Sequence, residues 1–491
     1  MAVLPDTITA EEPPGARPIR PGLAAMAAVN AAAAWAGGVG LIVGAIDFGE
    51  PTNDRLPFAN LVLAGAALVA IVAIPLTVLA WSAWTGGSRT DDLALVVGSL
   101  LIGWIVVQVV VLRAFSAFQP TYLAIGVFFV AASHRAHLDA RRRGPLVVAV
   151  GAIVTAVGVG LLPHLAKHGP LVASVLSVVM VLVGLGLAAR GTADALRRRP
   201  RGGQVVGGAA TVVAVSVAVW LIAPAVAATN VPPTRLGSTP ARLDLAYESV
   251  TLSTSDEAEL AAWYLPGTNR AGVVMVHGAG STRSDVLDQA AALVRGGYGV
   301  LLVDARGHGD SRGAAMDFGW YGDLDITAAV DFLASRDDID PGRIGVVGFS
   351  MGGEEAIGAA AADPRIQAVV AEGATGRQAR DKAWYSQTYG WRGWLQEQFE
   401  KVQFGVTDFL TPASPPTPLR AAVAHASGTH FLLITAGDVA DERHAAAYIR
   451  AAAPDRVTTW NVDGADHIAG YRTDPSRWRR RVTAFLDERL R

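Results

Sequence analysis

RIGVVGFSMGGEEAIGAAAA, residues 343–362, places a serine between glycines at the end of an apolar run. A helical pattern begins immediately after it. Gly348-Phe349-Ser350-Met351-Gly352 fits G-x-S-x-G, the sharp strand-to-helix turn that strains a serine backbone and leaves its Oγ exposed. Residues two before and two after the serine crowd such a turn, which accounts for both glycines. The following helix N-terminus favours negative charge nearby. Ser350 is therefore a candidate nucleophile, and the Met351 N–H a candidate oxyanion donor.

Outward from this turn, residues 244–491 alternate apolar strands with amphipathic helices. The strand patterns include AGVVMVHG, GVLLVDA, RIGVVGF, IQAVVAEG, HFLLITAG and RVTTWNV. This alternation predicts a mostly parallel sheet covered on both faces. Ligands of such sheets bind at the C-terminal strand ends. Residues 376–428 interrupt the rhythm as an insertion, and KAWYSQTYGWRGWLQEQFEKVQFGVTDF within it is dense in aromatics. Long insertions of this kind are often lids or binding loops. The aromatics suit an acyl pocket, a bilayer interface, where Trp and Tyr collect, or simply the insertion's own core.

A serine hydroxyl needs a base. The histidines after Ser350 are His425, His430, His444 and His467. His425 and His430 precede a strand, the wrong end of the sheet, and His444 lies within a helical pattern. His467, in DGADHIAGY after the last strand, is the choice. An acid must then orient the imidazole. Asp438, Asp441 and Glu442 follow HFLLITAG; Asp441 is preferred, with Glu442 and Asp438 open, because Asp441 and Glu442 also suit a helix's first turn. HGAGSTRSD, 277–285, lets the backbone approach a substrate, and the Ala279 N–H is the candidate second oxyanion donor. It lacks the lysine and spacing of a phosphate-binding loop. His308, in DARGHGDS, is expected to shape the rim of the site.

The first half of the chain is different. Of 491 residues, 51% are hydrophobic and 17% charged, and the apolar excess lies between Pro21 and Asn230. A membrane span needs about 20 apolar residues. About seven candidates occur, at 22–46, 57–80, 92–113, 117–134, 145–163, 169–189 and 204–228, with residues 1–21 as an N-terminal cytoplasmic tail. The turn at Pro120 is the reason for dividing 92–134. With the N-terminus inside, the cytoplasmic segments hold twelve arginines (17, 20, 89, 135, 141–143, 190, 197–199 and 201) against Arg55, Arg113 and Lys167 outside. The excess of positive charge on the inside supports this orientation, and seven spans put the C-terminal domain on the extracytoplasmic side of the cell membrane. His134, His137, His164 and His168 fall at span ends or in loops, where an anchor or partner-binding role for the bundle is the simpler reading. Residues 229–243, TNVPPTRLGSTPARL, read as an extended linker.

A net charge of −2 gives no electrostatic basis for binding nucleic acid, and the absence of cysteine excludes disulfides, thiol catalysis and cysteine-ligated metals. The chemistry expected needs no cofactor or metal. The expected partners are the lipid bilayer and a small-molecule or acyl ester.

VHGAGSTRSD, VDARGHGDS, GFSMGG and the late GADH, in that order, make residues 244–491 resemble the α/β-hydrolase superfamily. The resemblance implies an eight-stranded sheet, a Ser–acid–His triad carried here onto Ser350, Asp441 and His467, and a cap at 376–428. It departs from the family's G-x-x-D after the seventh strand, because the third residue after Gly437 is Ala440. The first 228 residues carry no such resemblance. The expected function is a membrane-anchored serine hydrolase of carboxylic esters. The alternatives are a peptidase of the prolyl-oligopeptidase type, or a non-catalytic ligand-binding domain on a membrane receptor or transporter.

Overall fold

The structure is a computed structural model, and it describes residues 19–46, 60–112, 118–133, 140–168, 171–197, 199–231 and 233–490. The expectations for the N-terminal tail, Arg55, Arg113, Arg135, His134 and His137 lie outside the described residues. So do those for Arg198 and for the side chains of Arg141, Arg142, Arg143, His164, Lys167 and His168.

The apolar half forms helices α1 (Pro21–Ile42), α2 (Leu61–Thr85), α3 (Thr90–Leu112), α4 (Phe118–Ala132), α5 (Ala140–His168), α6 (Leu171–Leu196) and α7 (Arg201–Thr229). Among the described residues, five stretches are long and apolar enough to cross a membrane: α1, α2, Gly144–Leu162 of α5, Ser174–Leu196 of α6, and α7. Seven were expected; residues at the end of α3 and the start of α4 lie outside those whose side chains the structure describes, and the described apolar stretch of α4 is Thr121–Ala132. Small residues let backbones approach, as is usual where helices pack in lipid. A Cβ on Gly98 would lie 2.5 Å from the Gly126 carbonyl. Arg20, at the start of α1, bonds both Asp91 (2.7 Å) and the Ala132 carbonyl (2.8 Å), which brings the start of α3 and the end of α4 to one side. The two helices therefore run antiparallel, as division of the 92–134 segment requires.

Two compact units divide the chain: residues 1–150 with 190–204, and residues 151–189 with 205–491. The second holds an eight-stranded sheet of β1 (Glu248–Ser253), β2 (Glu259–Leu265), β3 (Gly272–Val276), β4 (Gly299–Val303), β5 (Ile344–Phe349), β6 (Ile366–Glu372), β7 (His430–Ala436) and β8 (Val457–Val462). Their order is β1-β2-β4-β3-β5-β6-β7-β8; β1 and β2 are antiparallel to their neighbours and the rest are parallel. Strands β3, β4 and β5 are buried throughout, the consequence of helices on both faces. On one face lie α9 (Gly322–Ala334), α10 (Met351–Ala362), α13 (Leu419–His425) and α14 (Ala440–Arg450), through Leu333, Ile357, Val423 and Ile449. On the other lie α8 (Leu287–Arg295) and α16 (Pro475–Leu490), through Leu293, Trp478 and Leu486. A short α15 (Gly470–Thr473) precedes α16.

The insertion between β6 and β7 contains α11 (Tyr385–Tyr389) and α12 (Trp391–Leu410). Its expected end at 428 is too late: Leu419, Ala422 and Val423 of α13 are fully buried in the sheet's own core, so this helix belongs to the covering layer. The segment read as an extended linker is strapped down. The Ala228 carbonyl accepts from Asp317 N–H, Val231 pairs with Ala315, and Thr234 donates to the Gly280 carbonyl at 2.9 Å. Polar side chains that suggest a solvated tether instead bond the loops they cross.

Candidate active site

Strand β5 ends at Phe349 and α10 begins at Met351, so Ser350 carries the whole change of direction. Its backbone sits at φ 53°, ψ −117°, a conformation that costs about 1–3 kcal/mol for a non-glycine residue. Its N–H donates to the Glu372 carbonyl at 2.7 Å. The turn leaves no room beside it. A Cβ on Gly348 would lie 2.0 Å from the Gly352 carbonyl oxygen, and one on Gly352 would lie 2.5 Å from the carbonyl oxygens of Val276 and His277.

His467 stands in the loop between β8 and α15. Its Nε2 is 2.8 Å from Ser350 Oγ and its Nδ1 is 2.7 Å from Glu442 Oε1. Three side chains more than a hundred residues apart at their extremes thus form one hydrogen-bonded line. The acid on His467 is Glu442, not Asp441. Both lie in the first turn of α14, but successive helical residues point about 100° apart. Asp441 faces outward and accepts from Tyr389 OH at 2.7 Å. Glu442 points inward, is 1% exposed, and its second oxygen accepts from Ala436 N–H at 2.7 Å. Asp438 is exposed on the loop before the helix. The Glu442 carboxylate raises the His467 pKa above its ordinary value, against the opposing effect of partial burial.

Two residues not singled out in the sequence hold the histidine loop. Glu372, at the end of β6, is buried; its carboxylate accepts from Gly470 N–H at 2.7 Å and Trp478 Nε1 at 2.9 Å. Burial pushes its pKa up. A charged residue closing the otherwise apolar run IQAVVAE was the available signal. Gly373, next in the chain, has φ +74°, and a Cβ there would sit 2.8 Å from His467 Cε1. Gly373→Ala is expected to displace the imidazole and cut kcat by about 100-fold, the typical penalty for misplacing a reacting group by about 1 Å. Steady-state kinetics on a variant with unchanged circular dichroism checks this.

Met351 is the first helical residue, and its N–H precedes the first bonds of α10, which run from Gly353 and Glu354 to the Ser350 carbonyl. The loop carrying Ala279 comes close as well: a Cβ on Gly278 would lie 3.3 Å from Ser350 Cβ. Buried His277 fixes this loop. Its Nδ1 bonds the Gly278 carbonyl at 2.7 Å, its Nε2 bonds Ala305 N–H at 3.1 Å, and burial lowers its pKa to about 3, so the ring is neutral. His308 is buried and its Nε2 receives Gly280 N–H at 3.3 Å, so it supports this loop. His444 stacks on Trp384 of the insertion. His425 ends α13 and His430 begins β7, at the opposite end of the sheet from Ser350.

Residues 267–483 match the family model described as "Serine aminopeptidase, S33". Over these residues the C-terminal part of the chain matches the α/β-hydrolase family, in keeping with its eight-stranded, mostly parallel sheet. Putative hydrolase YtaP of Bacillus subtilis is 41% identical over 86 residues, 15% of this chain and 29% of its own. Quorum-quenching protein AidA of Acinetobacter baumannii is 35% identical over 142 residues, 27% of this chain and 43% of its own. The chain spans less than half the length of each of these curated relatives. Among solved structures, an esterase of Pyrococcus furiosus has 23% identity and a TM-score of 0.43, covering 54% of this chain and 98% of that one.

Proposed function

We propose that the protein is a membrane-anchored serine hydrolase that cleaves a carboxylic ester through an acyl-enzyme. The observation that carries this reading is the continuous line from Ser350 Oγ through His467 to the buried Glu442 carboxylate, at 2.8 and 2.7 Å. Ser350 Oγ attacks the ester carbonyl while His467 Nε2 takes its proton. The N–H groups of Met351 and Ala279 receive the developing oxyanion. The carbon–oxygen bond of the leaving alcohol breaks as His467 returns the proton to it. Water then attacks the acyl-Ser350 ester, His467 again accepting the proton; the acyl–Oγ bond breaks as His467 gives that proton to Ser350 Oγ, and the carboxylic acid leaves. The apolar helices supply the anchor, and the excess of arginines in the segments read as cytoplasmic supports a hydrolase domain on the outer side of the cell membrane.

Labelling of the full chain by a fluorophosphonate tests the reading: Ser350 is expected to react, and a domain that only binds ligand would not. The family model's description supports a second reading, a peptidase using the same residues. Turnover of aryl esters with no turnover of peptide amides would exclude it.

His467 must be neutral to accept a proton. Because Glu442 stabilises the imidazolium, the proton leaves only at a pH above the ordinary histidine value of about 6.5. The ascending limb of kcat/KM against pH is therefore expected to have its midpoint above that value. A midpoint below it would contradict the pairing of the free enzyme's base with Glu442.

A further inference from the structure

Helix α12 of the insertion carries an apolar stripe that no described part of its own unit covers. Trp391, Trp394, Leu395, Val402 and Phe409 are 75, 57, 40, 46 and 49% exposed. At 3.6 residues per turn these five positions fall within about 100° of arc. The opposite side, with Gly393, Gln403, Phe404 and Thr407, is buried. Arg392 and Lys401 are exposed on either edge of the stripe, and exposed Asp408 lies beside Lys401. Gln398 and Gly405 fall in the same arc, and the rest of the strip is apolar and exposed; a patch of this kind marks an interaction surface.

The contacts of α12 indicate what covers it. Gln403 Nε2 donates to the Trp220 carbonyl of α7 at 2.6 Å, and the Phe399 ring lies 4.4 Å from the Trp220 ring. Both contacts come from one turn of α12 and reach one residue of α7, so the helices cross and do not run alongside. Helix α7 is apolar and long enough to span a bilayer. Trp220 is nineteen residues beyond Arg201, about 28 Å at 1.5 Å per residue. That is close to the roughly 30 Å of hydrocarbon in a bilayer. With Arg201 at one headgroup boundary, Trp220 sits at the other, the depth where tryptophan collects. Helix α12 is fastened to the spanning helix at that depth.

We infer that α12 is an interfacial helix: its Trp391–Phe409 stripe lies in the outer boundary of the same bilayer that α7 crosses, with Arg392 and Lys401 reaching headgroup phosphates. Such helices bury an apolar face at the headgroup and acyl boundary and keep basic side chains in the polar layer. The insertion borders the site, since Tyr389, adjacent to α12, bonds Asp441 next to Glu442. The substrates that reach Ser350 are therefore acyl esters resident in the bilayer. This rests on the membrane-anchored reading above.

The chain has no cysteine, so single cysteines report without background. The full chain is reconstituted in phosphatidylcholine nanodiscs with a nitroxide at Leu395→Cys, Val402→Cys, Val213→Cys on α7, or Arg480→Cys on α16. Collision with oxygen, which partitions into lipid, is compared with collision with a water-soluble nickel chelate. The expected result is oxygen-dominated collision at 213, oxygen-dominated but shallower collision at 395 and 402, and nickel-dominated collision at 480. If 395 and 402 behave like 480 while 213 remains in lipid, the inference is wrong and the anchored reading survives. If 213 also behaves like 480, the anchored reading fails and takes the inference with it. If 395 and 402 are shielded from both reagents, protein covers the stripe (a second copy being the simplest case) and the inference is overturned.

Discussion

Ser350→Ala is expected to reduce hydrolysis of short aryl esters by the full chain by about 10⁴-fold or more, the scale seen when a nucleophile acting in a triad is removed. Fluorophosphonate labelling should disappear with it. The fold should not suffer. Alanine occupies the same left-handed backbone position with no larger side chain, and the lost Oγ–His467 hydrogen bond lies at an exposed site. Site residues held in strained geometry commonly exchange stability for activity. The melting temperature of the variant should therefore equal or slightly exceed that of the parent. Activity and melting temperature measured on one preparation separate a missing nucleophile from a damaged fold. Ester turnover within tenfold of the parent would remove Ser350 from the mechanism, whatever the geometry around it.

The parts of this site that sequence reveals are those where sterics admit one residue type. Gly348 and Gly352 sit where a Cβ would strike backbone, so the elbow is visible as a pattern. The parallel core of the sheet is visible because strands buried on both faces must be apolar along their whole length. His467 could be placed because only the loops at one end of the sheet reach Ser350. The acid was harder, since Asp441 and Glu442 are adjacent carboxylates in one helical turn. What separates them is the phase of α14, a boundary uncertain by a residue or two from sequence. Glu372 went unnoticed because a lone carboxylate at a strand end has no local signature; its partners, Gly470 and Trp478, are about a hundred residues away. The linker misled for a related reason. Pro, Thr and Ser are as compatible with a strap as with a tether, and only the loops beneath decide.

Glu442→Gln and Asp441→Asn should have very unequal effects although the residues are neighbours. The Glu442 carboxylate accepts from His467 Nδ1–H and so holds the proton on Nδ1, leaving Nε2 free to receive the Ser350 proton. It also stabilises the imidazolium that forms. A glutamine amide cannot do the second, and its NH₂ favours the opposite tautomer. A loss of about 10³–10⁴-fold in kcat is expected, as for an acid-to-amide change in a triad. Oε2 of Glu442 also accepts from Ala436 N–H. If the amide oxygen keeps that bond, its NH₂ is left facing Nδ1, which reinforces the wrong tautomer. In Asp441→Asn the altered group bonds the Tyr389 hydroxyl, away from His467, and an amide oxygen can still accept from it. Its kcat should stay within about threefold of the parent, in keeping with the small effects of surface substitutions. The pH profile adds a criterion independent of rate. The residual activity of Glu442→Gln should show its ascending midpoint moved down toward or below the ordinary histidine value, because the charge that raised it is gone. Asp441→Asn should leave the midpoint in place. A large loss in Asp441→Asn together with near-normal turnover in Glu442→Gln would reverse the assignment, and would mean that α14 turns by a residue when substrate binds.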